Sequence, residues 1–186
     1  MTVYIAFLRG INVGGKNIIK MQDLKRVLEK IGFCDVQTYI QSGNVLFKSN
    51  EEKEPLLKKI EYEIELAFGF SVRVVLRTAE ELEQIIKNCP FSESEILEAE
   101  ASSEAESLYV CLLAHVPLQE KIQQLNAYRT ESDEYRIVGR EVFLLFHRSI
   151  RNSKLANNLH KLDVPTTVRN WKTINKVAVL ARIKNI

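Results

Sequence analysis

The sequence predicts an α+β protein made of two tandem ferredoxin-like (βαββαβ) subdomains, each with an extra helix. Three observations lead there. Apolar positions switch between period-two and helical spacing in the same order in both halves of the 186-residue chain. Each half carries one glycine-centred hairpin signal, at Gly43 and at Gly139. Each half also ends its last strand on an arginine, Arg77 or Arg169, followed by a polar helix cap, Thr78 or Asn170.

In the first half, TVYIAFL reads as a strand, and Met21, Leu24, Leu28 and Ile31 mark a helix that Gly32 stops. DVQTYIQSGNVLFKS supplies two β-rich runs across Ser42, Gly43 and Asn44. Ser49 with Glu52 looks like a capping box for a helix bearing Leu57, Ile60, Ile64 and Phe68, and SVRVVLR is the closing strand. This order is the split βαβ arrangement. A second box, Thr78 to Glu81, opens the extra helix with Leu82, Ile85 and Ile86.

The second half repeats the order. SLYVCLLAH is a strand, and Leu118, Ile122 and Leu125 align on a helix. EYRIVGREVFLLF forms a hairpin about Gly139–Arg140, with glycine suited to the first position of a II′ turn. NSKLANNLHKL gives a helix with Leu155, Leu159 and Leu162, PTTVR an edge strand, and NWKTINKVAVLARIK a terminal helix with Ile174, Val177 and Ala181 on one face.

A chain that is 46% hydrophobic and 27% charged falls in the globular class. No apolar run approaches the roughly 20 residues that span a bilayer. The N-terminal run lacks preceding basic residues and a small-residue cleavage site, so a cytoplasmic protein without membrane association is expected. The oligomeric state is left open by the sequence, with a monomer favoured. Cys34, Cys89 and Cys111 are odd in number, far apart and without a CxxC pair, which speaks against a disulfide framework and against structural zinc; no metal and no cofactor are expected.

Charge is unevenly distributed. Residues 1–89 hold 13 bases and 12 acids, residues 90–106 six acids and no base, and residues 107–186 13 bases against six acids. The expected organisation is an N-terminal subdomain over 1–90, an acidic linker over 91–106 and a basic C-terminal subdomain over 107–186. The acidic stretch is read as a linker or loop, with a frayed helix as the alternative.

Arg9 to Asn17 fits the GxxxxGK spacing of a phosphate-binding loop. Asn17 nevertheless stands where a Ser or Thr hydroxyl should reach magnesium, and antiparallel hairpins lack the parallel sheet that such a loop needs. What remains is a weaker anion concavity: Gly10, Gly14 and Gly15 supply backbone N–H groups beside Arg9, Asn12 and Lys16, unless the glycines only turn the chain. Gln41, Ser42 and Asn44 crowd amides and a hydroxyl around Gly43. Arg169, Asn170, Trp171 and Thr173 sit at a helix start, where free N–H groups favour an anion, or where they simply cap and anchor that helix.

Together RGINVGG, TYIQSGN and TTVRNWKT, in this order, resemble the bacterial family known as domain of unknown function sixteen-ninety-seven. The likeness covers nearly the whole chain, with Lys172 standing where a small polar residue is expected. The resemblance implies an α/β architecture of two ferredoxin-like subdomains and brings no activity, cofactor or catalytic residue with it. No HExxH pair, nucleophile elbow or paired carboxylates occur, and His115, His147 and His160 are not spaced as ligands. The leading expectation is a small anionic or phosphate-bearing ligand held between the subdomains, with Arg9, Asn44 and Arg169 lining a common site. The alternatives are a nucleic-acid-binding module, a metal-independent enzyme on a small phosphorylated substrate, and a non-catalytic partner-binding protein.

Overall fold

A computed structural model describes residues 1–103 and 105–185. The chain divides into two compact units, one formed by Met1–Gln84 together with the residues from Asn175 on, the other by Ile85–Ile174.

The first unit runs β1 (Thr2–Leu8), α1 (Met21–Lys30), β2 (Cys34–Tyr39), β3 (Asn44–Ser49), α2 (Lys53–Phe68) and β4 (Val74–Thr78). Its sheet has the order β2-β3-β1-β4, every pair antiparallel. The second runs β5 (Leu108–Leu113), α5 (Gln119–Leu125), β6 (Asp133–Val138), β7 (Glu141–Phe146), α6 (Lys154–Asn157) and β8 (Thr166–Asn170), in the matching order β6-β7-β5-β8. Both are ferredoxin-like sheets, and the duplication extends to single hydrogen bonds. The Leu8 N–H donates to Gly43 O at 2.8 Å and the Arg9 N–H to Arg73 O at 2.9 Å; in the second unit Leu113 donates to Arg140 O and Ala114 to Pro165 O, both at 2.9 Å. In each case the end of the first strand is tied to the hairpin turn and to the lead-in of the last strand.

One face of the first sheet (Tyr4, Ala6, Leu8, Val45, Phe47, Val74, Leu76) packs on Met21, Leu24 and Leu28 of α1 and Leu56, Ile60 and Ile64 of α2. The alternate residues Val3, Ile5, Phe7, Leu46 and Val75 are buried as well, so both faces are covered. The second sheet behaves alike: Cys111, Leu113, Val142, Leu144 and Phe146 form its core with Leu125, Leu155, Leu159 and Leu162, while Val110, Leu112, Phe143 and Leu145 are buried on the reverse face. Two-sided burial explains why β1, β5 and β7 read as continuous apolar runs instead of alternating ones.

α3 (Ala79–Lys87) follows β4 and α7 (Trp171–Asn185) follows β8. The Thr78 box forms as expected, the Glu81 N–H donating to Thr78 Oγ1 and the Thr78 N–H to Glu81 Oε2. Asn170 Oδ1 accepts from the Thr173 N–H at 2.8 Å at the equivalent place. The hairpins fall at Gly43 and Gly139, and the positive φ at Gly139 but not at Arg140 is that of a II′ turn.

Several expectations change. Ser49 does not cap α2: it ends β3, its Oγ accepts from the Glu51 N–H, and α2 starts after Glu52 without a side-chain cap. Leu118 lies exposed ahead of α5, and NSKLANNLHKL breaks into α6 and a 3-10 turn over Leu159–Leu162. The acidic stretch is a helix, α4 (Glu93–Ser102), and not a structureless linker. A full capping box joins Ser92 and Glu95, and glutamates in the first turn suit the helix dipole. Arg136 on β6 then takes Glu95 in a forked pair, Nη2 to Oε1 at 2.6 Å and Nη1 to Oε2 at 3.2 Å, donates to Pro90 O, and lies over the Phe91 ring.

The last turns of α7 are grouped with the first unit, whereas the sequence assigned them to the C-terminal subdomain. Buried Lys184 donates to Asp35 O at 2.8 Å and pairs with Asp35 Oδ1 at 2.8 Å, Arg182 meets Glu83, and Asn185 donates to Glu80. Those acids lie some 100 and 150 residues upstream, beyond the reach of any local pattern.

Two expectations follow. Arg136 holds the Glu95 carboxyl at about 2, below its ordinary 4.5, with the Ser92 donors helping. The pair therefore stabilises fully above about pH 4.5, and its contribution is lost as pH falls through about 2. Arg136→Ala should lower the melting temperature at pH 7 by a few degrees, for a loss of about 1 kcal/mol at this half-exposed site, and should flatten the acid side of a melting-temperature profile. Ser107 Oγ is buried without a hydrogen-bond partner among the described residues. Ser107→Ala should therefore raise the melting temperature slightly, by up to about 1 kcal/mol of relieved desolvation.

Candidate functional site

The Arg9–Lys20 segment is a small hairpin, not a phosphate loop. Val13 and Lys16 bridge antiparallel, the Lys16 N–H donates to Val13 O at 3.1 Å, and Gly14 and Gly15 both have positive φ, which makes a I′ turn. Its exposed tip carries Lys16 forward, and α1 begins only at Met21. The GxxxxGK spacing thus arises from turn chemistry.

Asn12 organises the base of this hairpin. Its Nδ2 donates to Ile19 O at 2.9 Å and to Gln41 O at 2.8 Å, and its Oδ1 accepts from the Ile19 N–H at 2.8 Å. One amide thereby ties the first motif to the second and fixes the approach to α1. Asn44 is fully buried and donates to Tyr39 O and Ser42 Oγ, both at 3.0 Å. Gly43 lets the turn press against β1, since a Cβ there would stand 2.8 Å from Leu8 Cβ and 2.9 Å from Ile11 Cδ1. Ile40 holds φ +49°, a conformation costly for a β-branched residue, so this turn is over-determined by its surroundings.

These constraints shape a pocket of about 500 Å³ in the first unit, lined by Lys20, Met21, Gln22, Lys25, Thr38 and Gln41. It lies at the first turn of α1. Lys20 occupies the N-cap position, no side chain caps the turn, and the first helix-type bonds are made by the Asp23 and Leu24 N–H groups to Lys20 O. The N–H groups ahead of them are those a helix leaves for an anion or water. Lys25 pairs only loosely with Glu29, 3.6 Å away at the surface.

Of the residues singled out in the sequence, Gln41 borders this pocket. Asn12, Ser42 and Asn44 build the turns around it. Arg9, Gly14, Gly15 and Lys16 are exposed on the hairpin. Arg169 belongs to the second unit, where it is buried on β8; it donates to Thr167 Oγ1 at 2.7 Å and Val168 O at 2.9 Å, and burial lowers its pKa to about 10. Arg77 holds the same position on β4, buried and donating to Leu76 O at 2.9 Å. Asn170 and Thr173 form the cap already described, and the Trp171 ring meets Phe143 edge-on at 6.3 Å. Sequence reasoning missed Lys20, Gln22, Lys25 and Thr38 as pocket residues. The signal was there in part: lysine at an N-cap, where Ser, Thr, Asp or Asn is usual, marks a helix start left open. Among the described residues, no group of three His, Cys, Asp or Glu side chains is placed to hold a metal ion.

Two ferredoxin-like units in tandem, with a polar pocket where the first motif loops meet, define a duplicated α+β protein. The same fold occurs in a solved structure, the conserved bacterial protein SP0830 from Streptococcus pneumoniae, which is 23% identical to this chain, with a TM-score of 0.70 and coverage of 97% of this chain and 98% of that one. A family model described as a protein of unknown function, DUF1697, matches residues 1–143, and the chain belongs to that family. No curated protein matches it.

Two substitutions test the loop architecture. Gly43→Ala should destabilise by about 2 kcal/mol or more, because the added methyl meets Leu8 and Ile11 in a left-handed conformation. Asn12→Ala should cost about 1–3 kcal/mol through three lost hydrogen bonds, read as a fall of several degrees in thermal unfolding.

Proposed function

We propose that the protein binds a small, phosphate-bearing anion in the first unit, at the pocket between the first turn of α1 and the Thr38–Gln41 segment. The carrying observation is the uncapped start of α1 opening into a pocket with Lys20 and Lys25 on its wall. The helix N-terminus presents backbone donors and a partial positive charge, and the two ammonium groups add mobile point charges suited to phosphate. Thr38 and Gln41 line the same pocket and add neutral hydrogen-bonding groups. Asn12 supports the reading from outside the pocket: it holds Gln41 and the lead-in to α1 in register, as a preorganised site requires.

Isothermal titration with inorganic phosphate, pyrophosphate and adenosine monophosphate tests this. Binding in the micromolar to millimolar range is expected, with each ligand raising the melting temperature of the parent. Replacing Lys20 and Lys25 together by Ala should abolish the heat and the shift while changing the unliganded melting temperature by less than about 2 °C, since Lys20 is exposed and the half-buried Lys25 makes only a loose surface pair. Undiminished binding in that double variant would reject the pocket as the site.

A further inference from the structure

The second unit contains a different polar surface, independent of the pocket in the first. Between β7 and α6 the chain reads His147 to Lys154, with three cations and no acid in eight residues. Arg148 and Ser149 form a shared wall between two adjoining pockets of about 570 and 290 Å³. The larger also holds Arg151 and the half-buried ring of Tyr109; the smaller holds Lys154.

Arg148, Arg151 and Lys154 are exposed, and among the described residues none has a carboxylate within ion-pair distance. The contrast with Arg136 in the same unit, which is locked to Glu95, is direct. Among the described residues two acids stand nearby: Asp133 in the wall of the smaller pocket, and Glu106, which adds to the effect of burial in raising the Tyr109 hydroxyl, against the pull of Arg151. The fold meanwhile needs the backbone here, where Ser149 and Ser153 cap the short helical turns through their own hydroxyls. The three cationic heads have no such structural duty.

We propose that this surface binds single-stranded nucleic acid, with Arg148 between two successive phosphates, Arg151 and Lys154 on the flanking ones, and a base against Tyr109. Adjoining pockets that share one cation suit a repeating anion better than a single small one. A cationic groove with an aromatic platform is the usual means of holding a strand without reading its sequence. Asp133, poorly placed for a phosphate, can accept from a ribose hydroxyl, which RNA offers and DNA lacks.

The test uses the full chain and fluorescein-labelled octauridylate, followed by anisotropy from low to physiological salt. Saturable binding is expected, with log affinity falling against log salt at a slope of about −2, near 0.7 for each of the three cations that neutralises a phosphate charge. Arg148→Ala should weaken binding about tenfold and flatten the slope by about 0.7. Tyr109→Leu should weaken binding at least about fivefold at unchanged slope, the signature of lost stacking. Lys58→Ala, an exposed lysine of the first unit, should have no effect, and the Lys20/Lys25 double variant should bind as the parent does. The proposal is overturned if octauridylate does not bind saturably, if Lys58→Ala costs as much as Arg148→Ala, if the Lys20/Lys25 variant loses binding, or if uridine monophosphate competes as well as the oligomer. Phosphate titration of Arg148→Ala separates this surface from the first-unit pocket, since that binding should persist.

Discussion

Both faces of each four-stranded sheet are buried, and most of the architecture depends on that constraint. A ferredoxin-like unit covers one face of its sheet with its own two helices. Here Val3, Ile5 and Phe7 on β1, and Val110 and Leu112 on β5, are buried on the other face too. At about 25 cal/mol per Å² of apolar area, leaving such a face wet would forfeit several kcal/mol per large side chain-rich strand, comparable with the whole stability of a domain. The middle stretches of β1, β5 and β7 are therefore unbroken apolar runs. Two of the buried polar residues on these faces, Arg77 and Arg169, occupy equivalent places and turn a guanidinium N–H back to the preceding carbonyl.

Polar side chains are displaced to the sheet ends by the same constraint. Loops after β1 and between β2 and β3 carry the amides and glycines, and Asn12 and Asn44 turn those loops into defined surfaces by satisfying backbone carbonyls. Buried or half-buried amides with every donor engaged act as fasteners. The groups that line the first-unit pocket are less conspicuous ones: helix N–H groups without a side-chain cap, two lysines, Thr38 and Gln41. In the second unit the same division recurs, with Arg136 engaged in holding α4 and Arg148, Arg151 and Lys154 left free of carboxylates among the described residues.

Acidic and basic stretches have different fates according to their partners. α4 forms despite its glutamates because Ser92 caps it, Ala99 is buried, and Arg136 neutralises Glu95 from a strand 41 residues away. The end of α7 is held to the first unit by Lys184, whose ammonium meets Asp35 at an irregularity in β2 where Asp35 itself has positive φ. The carboxyl of Asp35 is lowered chiefly by that hydrogen bond, which ties the chain terminus to the sheet edge most strongly above the ordinary carboxylate range.

The sequence by itself determined the element order, the duplication, both hairpins, the Thr78 and Asn170 caps and the apolar faces of most helices. All of these rest on contacts within a few residues, where periodicity and turn chemistry act directly. It misjudged Ser49, Leu118 and the acidic helix, where a local signal competed with pairing or with a distant partner. The clasp of Lys184 on Asp35, the burial of Arg169, the tie from Asn12 to Gln41 and the pocket at the start of α1 were decided only by tertiary structure. Each depends on residues brought together by strand order, and a sequence read along one dimension has no term for the distance across a sheet.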